Sequence, residues 1–170
     1  MSDFNLYFPL ENQLEGITYE DVPGDSGGCT KYGLTLSDLK EFYKTSKTCV
    51  DVKNMTRQEA ATVLRKLYWD YFGADHIPND SLAQFIVDSG LNQGKILIAE
   101  YLQKIIGVKE DGLFGQQSLQ ALLTHSPADV FKGLYDMRKK RYDEIVAKNS
   151  SQEKFYKGWM NRLNAIKFVQ

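Results

Sequence analysis

The segment from Ile96 to Ile106 constrains the fold more than any other part of this 170-residue chain. Ile96, Leu97, Ile98, Ala99, Tyr101, Leu102, Ile105 and Ile106 surround a helix drawn over positions 95–106 almost completely. A helix that is apolar all round belongs in the middle of a core. The rest of the chain offers helices to cover it. Thr56-Arg57-Gln58-Glu59 is a capping box ahead of the stripe Ala60, Leu64, Leu67, Tyr68 and Tyr71. Asp80 caps a helix that turns Leu82, Phe85 and Ile86 inward, and Ser126-Pro127-Ala128-Asp129 opens a long helix striped by Phe131, Leu134, Tyr135, Tyr142 and Ile145. A last amphipathic helix carries Phe155, Tyr156, Trp159, Leu163 and Ile166. Near the N-terminus, Ser2 or Asp3 caps a helix bearing Phe4, Tyr7, Phe8 and Leu14, which Pro9 starts or kinks. Thr18-Tyr19 and Lys31-Tyr32 are the only short strand candidates. The expected fold is all-α with one small β-hairpin or loop near the N-terminus. It forms a single domain over 1–170, in which an N-terminal part, 5–80, and a helical part, 81–167, interweave around the helix 95–106.

Composition excludes several functions. The formal net charge is −1 and no basic stripe is visible, which argues against nucleic acid as a partner. Arg138-Lys139-Lys140-Arg141 is expected on the solvated outer face of its helix. The first twenty residues are broken by Asp3, Asn5, Glu11 and Asn12 and show no cleavable signal peptide, and no run reaches transmembrane length, so stable membrane insertion is not expected. Cys29 and Cys49 form no zinc spacing with His76 and His125; a single disulfide between them is allowed but not demanded.

The chemistry is expected between Glu15 and Thr35, where a helix end bearing a carboxylate runs into a polar loop marked by glycines 24, 27, 28 and 33. Gly24-Asp25-Ser26-Gly27-Gly28 matches the motif around the nucleophile of chymotrypsin-like serine proteases. The match is misleading, because such a serine needs a histidine base and an orienting carboxylate, and no histidine precedes Ser26. A second spacing is more informative: nine residues separate Glu15 from Asp25 and four separate Asp25 from Thr30. This resembles the Glu, Asp, Thr arrangement of the phage-type lysozymes, with the aspartate displaced by one place. On a solvated helix face, or on a groove wall, Asp88 and Asn92 stand four apart and share a side.

With these residues located, the chain resembles glycoside hydrolase family 108, the small muramidases also labelled secretion-activator proteins. The resemblance runs from about Phe4 to Ile166. It rests on Glu15-Gly16, on the run from Asp25-Ser26-Gly27-Gly28 through Thr30 to Gly33-Leu34-Thr35, on Tyr68-Trp69-Asp70, and on Asp88 with Asn92 and Gly94. Leu102-Gln103, Asp111-Gly112 with Gly115, Gly158-Trp159 and Asn161-Arg162 continue it. Ile17 replaces the usual second glycine after Glu-Gly, and Gln116-Gln117 departs from the usual Pro-x after Gly115. The C-terminal half resembles a predicted peptidoglycan-binding region.

The resemblance implies a lysozyme-like helical fold and cleavage of peptidoglycan glycan strands between N-acetylmuramic acid and N-acetylglucosamine, with no cofactor and no metal. It gives Glu15, Asp25 and Thr30 catalytic roles and places Tyr32, Asp88 and Asn92 against the substrate. Glu15 is the proton donor, which requires a pKa above the unperturbed value of about 4.3. Asp25 with Thr30 holds the attacking water, a role that Glu20 or Asp21 takes if the shifted spacing displaces Asp25. Inversion requires the two carboxyl groups roughly 6.5–9.5 Å apart. The rival reading is a non-catalytic wall-binding or secretion-regulatory protein. A monomer is expected, made in the cytoplasm and acting on the wall in the periplasm or outside the cell. A holin, a dedicated secretion system or lysis then delivers it.

Overall fold

The computed structural model describes residues 2–8, 18–21 and 28–170. Glu15, Asp25, Pro9 and Leu14 therefore lie outside the described residues. The described residues are mostly helical, with one small antiparallel sheet among them, as the sequence predicts. Its described residues fall into two compact units, 3–71 and 72–170, and Ser2 belongs with the second.

In the N-terminal unit, residues 4–8 are helical, and Asp3 Oδ1 caps them by accepting from the Asn5 amide at 2.8 Å. The strands β1 (Thr30–Lys31) and β2 (Leu34–Thr35) follow, then helices Leu36–Tyr43, Cys49–Asn54 and Arg57–Leu64. The helix Cys49–Asn54 falls just after Thr45-Ser46-Lys47-Thr48, which reads as loop. It is started by Thr48, whose amide and hydroxyl both donate to Asp51 Oδ2 at 2.8 and 2.9 Å. Thr56 caps the next helix, its Oγ1 accepting from the Glu59 amide at 3.2 Å, but the expected capping box is only half formed, because the Glu59 carboxylate accepts from the Tyr43 hydroxyl. The capped helix then widens into a π-helical turn, Arg65–Trp69, closed by the Asp70 amide on the Arg65 carbonyl at 2.8 Å. Within this turn the consecutive residues Leu67, Tyr68 and Trp69 are all buried. Trp69 packs against Phe4 and Tyr7, at ring separations of 5.4 and 5.7 Å. A disulfide joins Cys29, just before β1, to Cys49 at the start of its helix.

The second unit contains helices Asp80–Gln93, Lys95–Ile105, Gln116–Leu122, Pro127–Lys148 and Glu153–Leu163, with single 3-10 turns at Ala74–His76 and Ser150–Gln152. Asn79, rather than Asp80, is the first cap, its Oδ1 accepting from the Leu82 amide at 2.9 Å. Phe85 and Phe131 stack at 4.2 Å in the core. The helix enclosed on nearly every side is Asp80–Gln93, which buries the run Phe85 to Gly90 without a break. The helix Lys95–Ile105, expected to be covered all round, is not: Ile98, Ala99 and Leu102 are buried, while Ile96 is 49% exposed. Ile96 lies over Gly112, where an added Cβ would approach its Cγ2 to 2.6 Å, so the bare glycine backbone supplies part of its packing.

Reducing the Cys29–Cys49 bridge, which spans 20 positions, should lower the stability of the N-terminal unit. The expected loss is about 3 kcal/mol, the loop-closure entropy returned to the unfolded chain. Thermal unfolding with and without reductant measures it, and coincident curves would show that the bridge contributes nothing.

Candidate active site

The hairpin is built around a two-residue turn. Thr30 pairs with Thr35 and Lys31 with Leu34, leaving Tyr32 and Gly33 at the tip with φ of 54° and 75°. Two positive φ angles are the requirement of a type I′ turn, whose twist matches that of the flanking strands. Glycine meets the requirement easily; a tyrosine does so under strain, and such residues concentrate at functional sites. Thr18-Tyr19 forms no strand. Instead Glu20 bridges to Thr30, the two exchanging both backbone hydrogen bonds at 2.9 and 2.8 Å.

This pairing sorts the side chains by face, because successive residues of a strand point to opposite sides. Glu20, Thr30 and Thr35 form one row across one face. Lys31 and Leu34 take the other, where Leu34 is fully buried and Lys31 Nζ donates to the carbonyls of Lys53 and Met55 at 2.7 and 2.8 Å. Those carbonyls end the helix Cys49–Asn54, where a cation is favoured by the helix dipole. Tyr19 and Asp21 bond to each other at 3.2 Å, with Lys53 Nζ 6.0 Å from the Tyr19 ring, which puts them on the same side as Lys31.

Asp38 anchors the row from behind. Its Oδ2 accepts from the Thr35 amide and hydroxyl, both at 2.7 Å, and its own amide donates back to Thr35 Oγ1 at 3.2 Å. Its Oδ1 accepts from the buried Tyr68 hydroxyl at 2.6 Å. Burial, then the Asp38 charge and the hydrogen bond to it, push the Tyr68 phenol well above its ordinary range. The Thr30 hydroxyl, by contrast, has no hydrogen-bond partner among the described residues. Asp38 was not identified from the sequence, although Thr35-x-x-Asp38 has the form of a capping box. Nothing local marks Tyr68, which lies 30 residues away, as its partner.

Asp88 and Asn92 belong to the second unit, and the structure corrects both surface readings of Asp88. Its carboxylate is 1% exposed and lies between two guanidinium groups, Arg138 Nη1 at 3.0 Å and Arg162 Nη2 at 2.8 Å. A carboxylate so enclosed has no surface to offer a sugar or bulk water. Asn92 Oδ1 accepts from the Tyr142 hydroxyl at 2.5 Å and from Arg138 Nη2 at 3.4 Å. Arg138 itself, expected on an outer face, is fully buried, and its guanidinium also lies 5.1 Å from the Phe85 ring centre. The reason is positional: Arg138 stands four residues from both Leu134 and Tyr142 and so falls on the apolar stripe.

Among the described residues no group of His, Cys, Asp and Glu is arranged to hold a metal ion, and no helix is long and apolar enough to cross a membrane. Residues 12–94 match the family model described as glycosyl hydrolase 108, and residues 98–164 match one described as a predicted peptidoglycan domain. The first match places residues 12–94 of this chain in likeness to glycosyl hydrolase 108. Among solved structures, SagA of Brucella abortus superimposes with a TM-score of 0.82 at 27% identity, over 96% of this chain and 90% of that one. No curated protein sequence matched the chain. The two matches together support a peptidoglycan-related, lysozyme-like function outside the cytoplasm. The glycosyl hydrolase match contains Thr30, Tyr32, Glu20, Asp38 and Tyr68, together with Glu15 and Asp25.

Two predictions follow from the geometry. A tyrosine whose folded pKa is raised contributes stability that is complete below its unfolded value of 10.0 and declines as pH rises beyond it. Denaturant midpoints measured below and above pH 10 should therefore diverge more in the wild type than in Tyr68→Phe; equal divergence would mean that the phenol ionises freely when folded. Asp88→Ala leaves two buried guanidinium groups facing each other, at an expected cost of about 3–5 kcal/mol. A near-normal melting curve combined with weakened binding to cell walls would instead return Asp88 to the substrate.

Proposed function

We propose that this protein is an N-acetylmuramidase that hydrolyses the peptidoglycan glycan between N-acetylmuramic acid and N-acetylglucosamine. The observation that carries the reading is the coincidence of the glycosyl hydrolase match with the stretch holding Glu15, Asp25 and Thr30, followed directly by the peptidoglycan match. Glu15 is the general acid that protonates the leaving glycosidic oxygen. A second carboxylate, for which the sequence offers Asp25 first, works with the Thr30 hydroxyl to hold water against the opposite face of the sugar. The product then has inverted configuration at the anomeric carbon. Tyr32, presented at the hairpin tip, supplies an aromatic surface against which a pyranose ring packs. No step in this scheme calls on a metal or an organic cofactor. The enzyme works as a single domain and a monomer, and it reaches its substrate through a holin, a dedicated export system or lysis.

The rival is a wall-binding or secretion-regulatory protein that retains the groove without the chemistry, and the peptidoglycan match is compatible with it. Glu15→Gln separates the two. It removes the acid with little change of shape, so release of soluble fragments from purified walls should fall by about 100-fold or more while the unfolding midpoint stays in place. Full release by the variant would remove Glu15 from the mechanism. A wild type that pellets with walls and releases nothing would establish the binder.

A further inference from the structure

We infer that Lys40, Lys44 and Lys47 form a cationic cradle that holds the carboxylate-bearing peptide stems of peptidoglycan. The inference takes peptidoglycan as the ligand from the proposed function and leaves the chemistry of cleavage aside. Lys40 stands in the last turn of the helix Leu36–Tyr43, Lys44 caps its end, and Lys47 follows in the connection to the helix Cys49–Asn54. With Thr45 and Ser46 they line an open hollow of about 750 Å³, in which every side chain ends in an ammonium or bears a hydroxyl. Most of this charge is uncommitted. Among the described residues the Lys40 and Lys44 ammonium groups have no ion pair and no hydrogen bond, and the Thr45 and Ser46 hydroxyls have no partner either. Lys47 is held in place, its Nζ 4.2 Å from the centre of the Tyr43 ring and 3.7 Å from Asp51 Oδ1. Asp51 is itself engaged by the Thr48 amide and hydroxyl, and the charge of Glu41 is felt at the Tyr68 hydroxyl.

The negative end of the helix dipole favours a cation at Lys40 without conformational cost. Lys44 takes the same benefit under strain. It adopts φ 55° and ψ 28°, the left-handed conformation for which glycine or asparagine is the ordinary choice at a helix end. A side chain retained at a strained position is characteristic of functional sites. The cradle also selects among anions. Arginine forks are the planar, bidentate partners of phosphate, and the cradle has none. Three ammonium groups on flexible stems suit single negative charges spaced along a chain, and the hydroxyls between them can donate to a carboxylate or a peptide carbonyl. Peptide stems supply that pattern, since each carries free carboxylates separated by amide bonds. The helix Leu36–Tyr43 starts from Thr35 on the hairpin and rises 1.5 Å per residue, which puts Lys44 roughly 12 Å along its axis. With the glycan at the hairpin, a peptide branch of about four extended residues covers that distance.

The test is sedimentation of the full chain with purified peptidoglycan in the cold, before and after the stem carboxylates are converted to amides with carbodiimide and ammonia. Wild-type binding should weaken about tenfold on the amidated wall, and on the untreated wall it should fall as ionic strength rises beyond about 0.1 M. Lys40→Gln combined with Lys44→Gln should bind the untreated wall about tenfold more weakly, the effect of two exposed charges, and should no longer distinguish it from the amidated one. Lys44→Gly separates binding from folding. It relieves the left-handed residue, so its unfolding midpoint should be no lower than that of the wild type while its wall binding weakens about threefold. Equal binding of the wild type to treated and untreated walls overturns the inference, as does undiminished binding by the double variant. Displacement from walls by polyphosphate at concentrations where polyglutamate has no effect gives the cradle to phosphate esters and overturns it too. A wild type that binds through the lysines yet releases no glycan overturns the muramidase reading alone; one that releases glycan but ignores amidation overturns the cradle alone.

Discussion

The carboxylate of Asp38 is the interaction on which the N-terminal unit depends. A sheet of two-residue strands is not stable by itself, since so few ladder bonds cannot offset the ordering of its chain. This one is held from outside. Asp38 fastens β2 through Thr35 and fastens itself to the π-helical turn through Tyr68. On the other face Lys31 fastens β1 to the end of a helix, and the disulfide fastens the residue before β1 to that helix's beginning. The strained turn at Tyr32 is tolerable because the strands on either side of it are over-determined.

The second unit uses the same device with a different balance. Two arginines converge on Asp88, and Ser89, Asn92 and Tyr142 take up other donors of Arg138. Moving three charged groups out of water costs several kcal/mol each, and their mutual attraction offsets this only when all are in place. The arrangement is therefore close to all-or-none, and it requires the helices bearing Asp88, Arg138 and Arg162 to adopt one register. The motif residues Asp88, Asn92 and Arg162 are tied into this one cluster, Asn92 through Tyr142 and Arg138 and Arg162 through Asp88.

The helix order was legible because caps and apolar stripes are local: Thr56 with Glu59, and Ser126 with Pro127 and Asp129, announce their helices in four letters. The hairpin was legible as a glycine-rich break, yet its register was not, since the Glu20 to Thr30 bridge depends on a pairing across ten positions. Charge was misread at Asp88 and overlooked at Asp38 for one reason. A polar residue on an apolar stripe looks like an interruption until its partner is known, and the partners of Asp88 and Tyr68 lie 50 and 30 residues away. Arg138 sits in phase with Leu134 and Tyr142, so its burial was available from periodicity alone. The helix 95–106 was over-read: composition showed apolar residues all round, while Gly112 lets Ile96 rest on bare backbone at the surface.

The sulfur of Cys29 is wholly out of contact with solvent, one residue before Thr30. A reductant in the surrounding medium meets the bridge from the Cys49 side, which is only partly covered, and its attack there expels Cys29 as a thiolate that stays buried beside Thr30. Alkylation of that thiol has to wait for the hairpin to lift and is thereby a clock for the motion. Timed under native conditions, it counts how often the strand carrying Thr30 leaves its place, with a label that the molecule already contains.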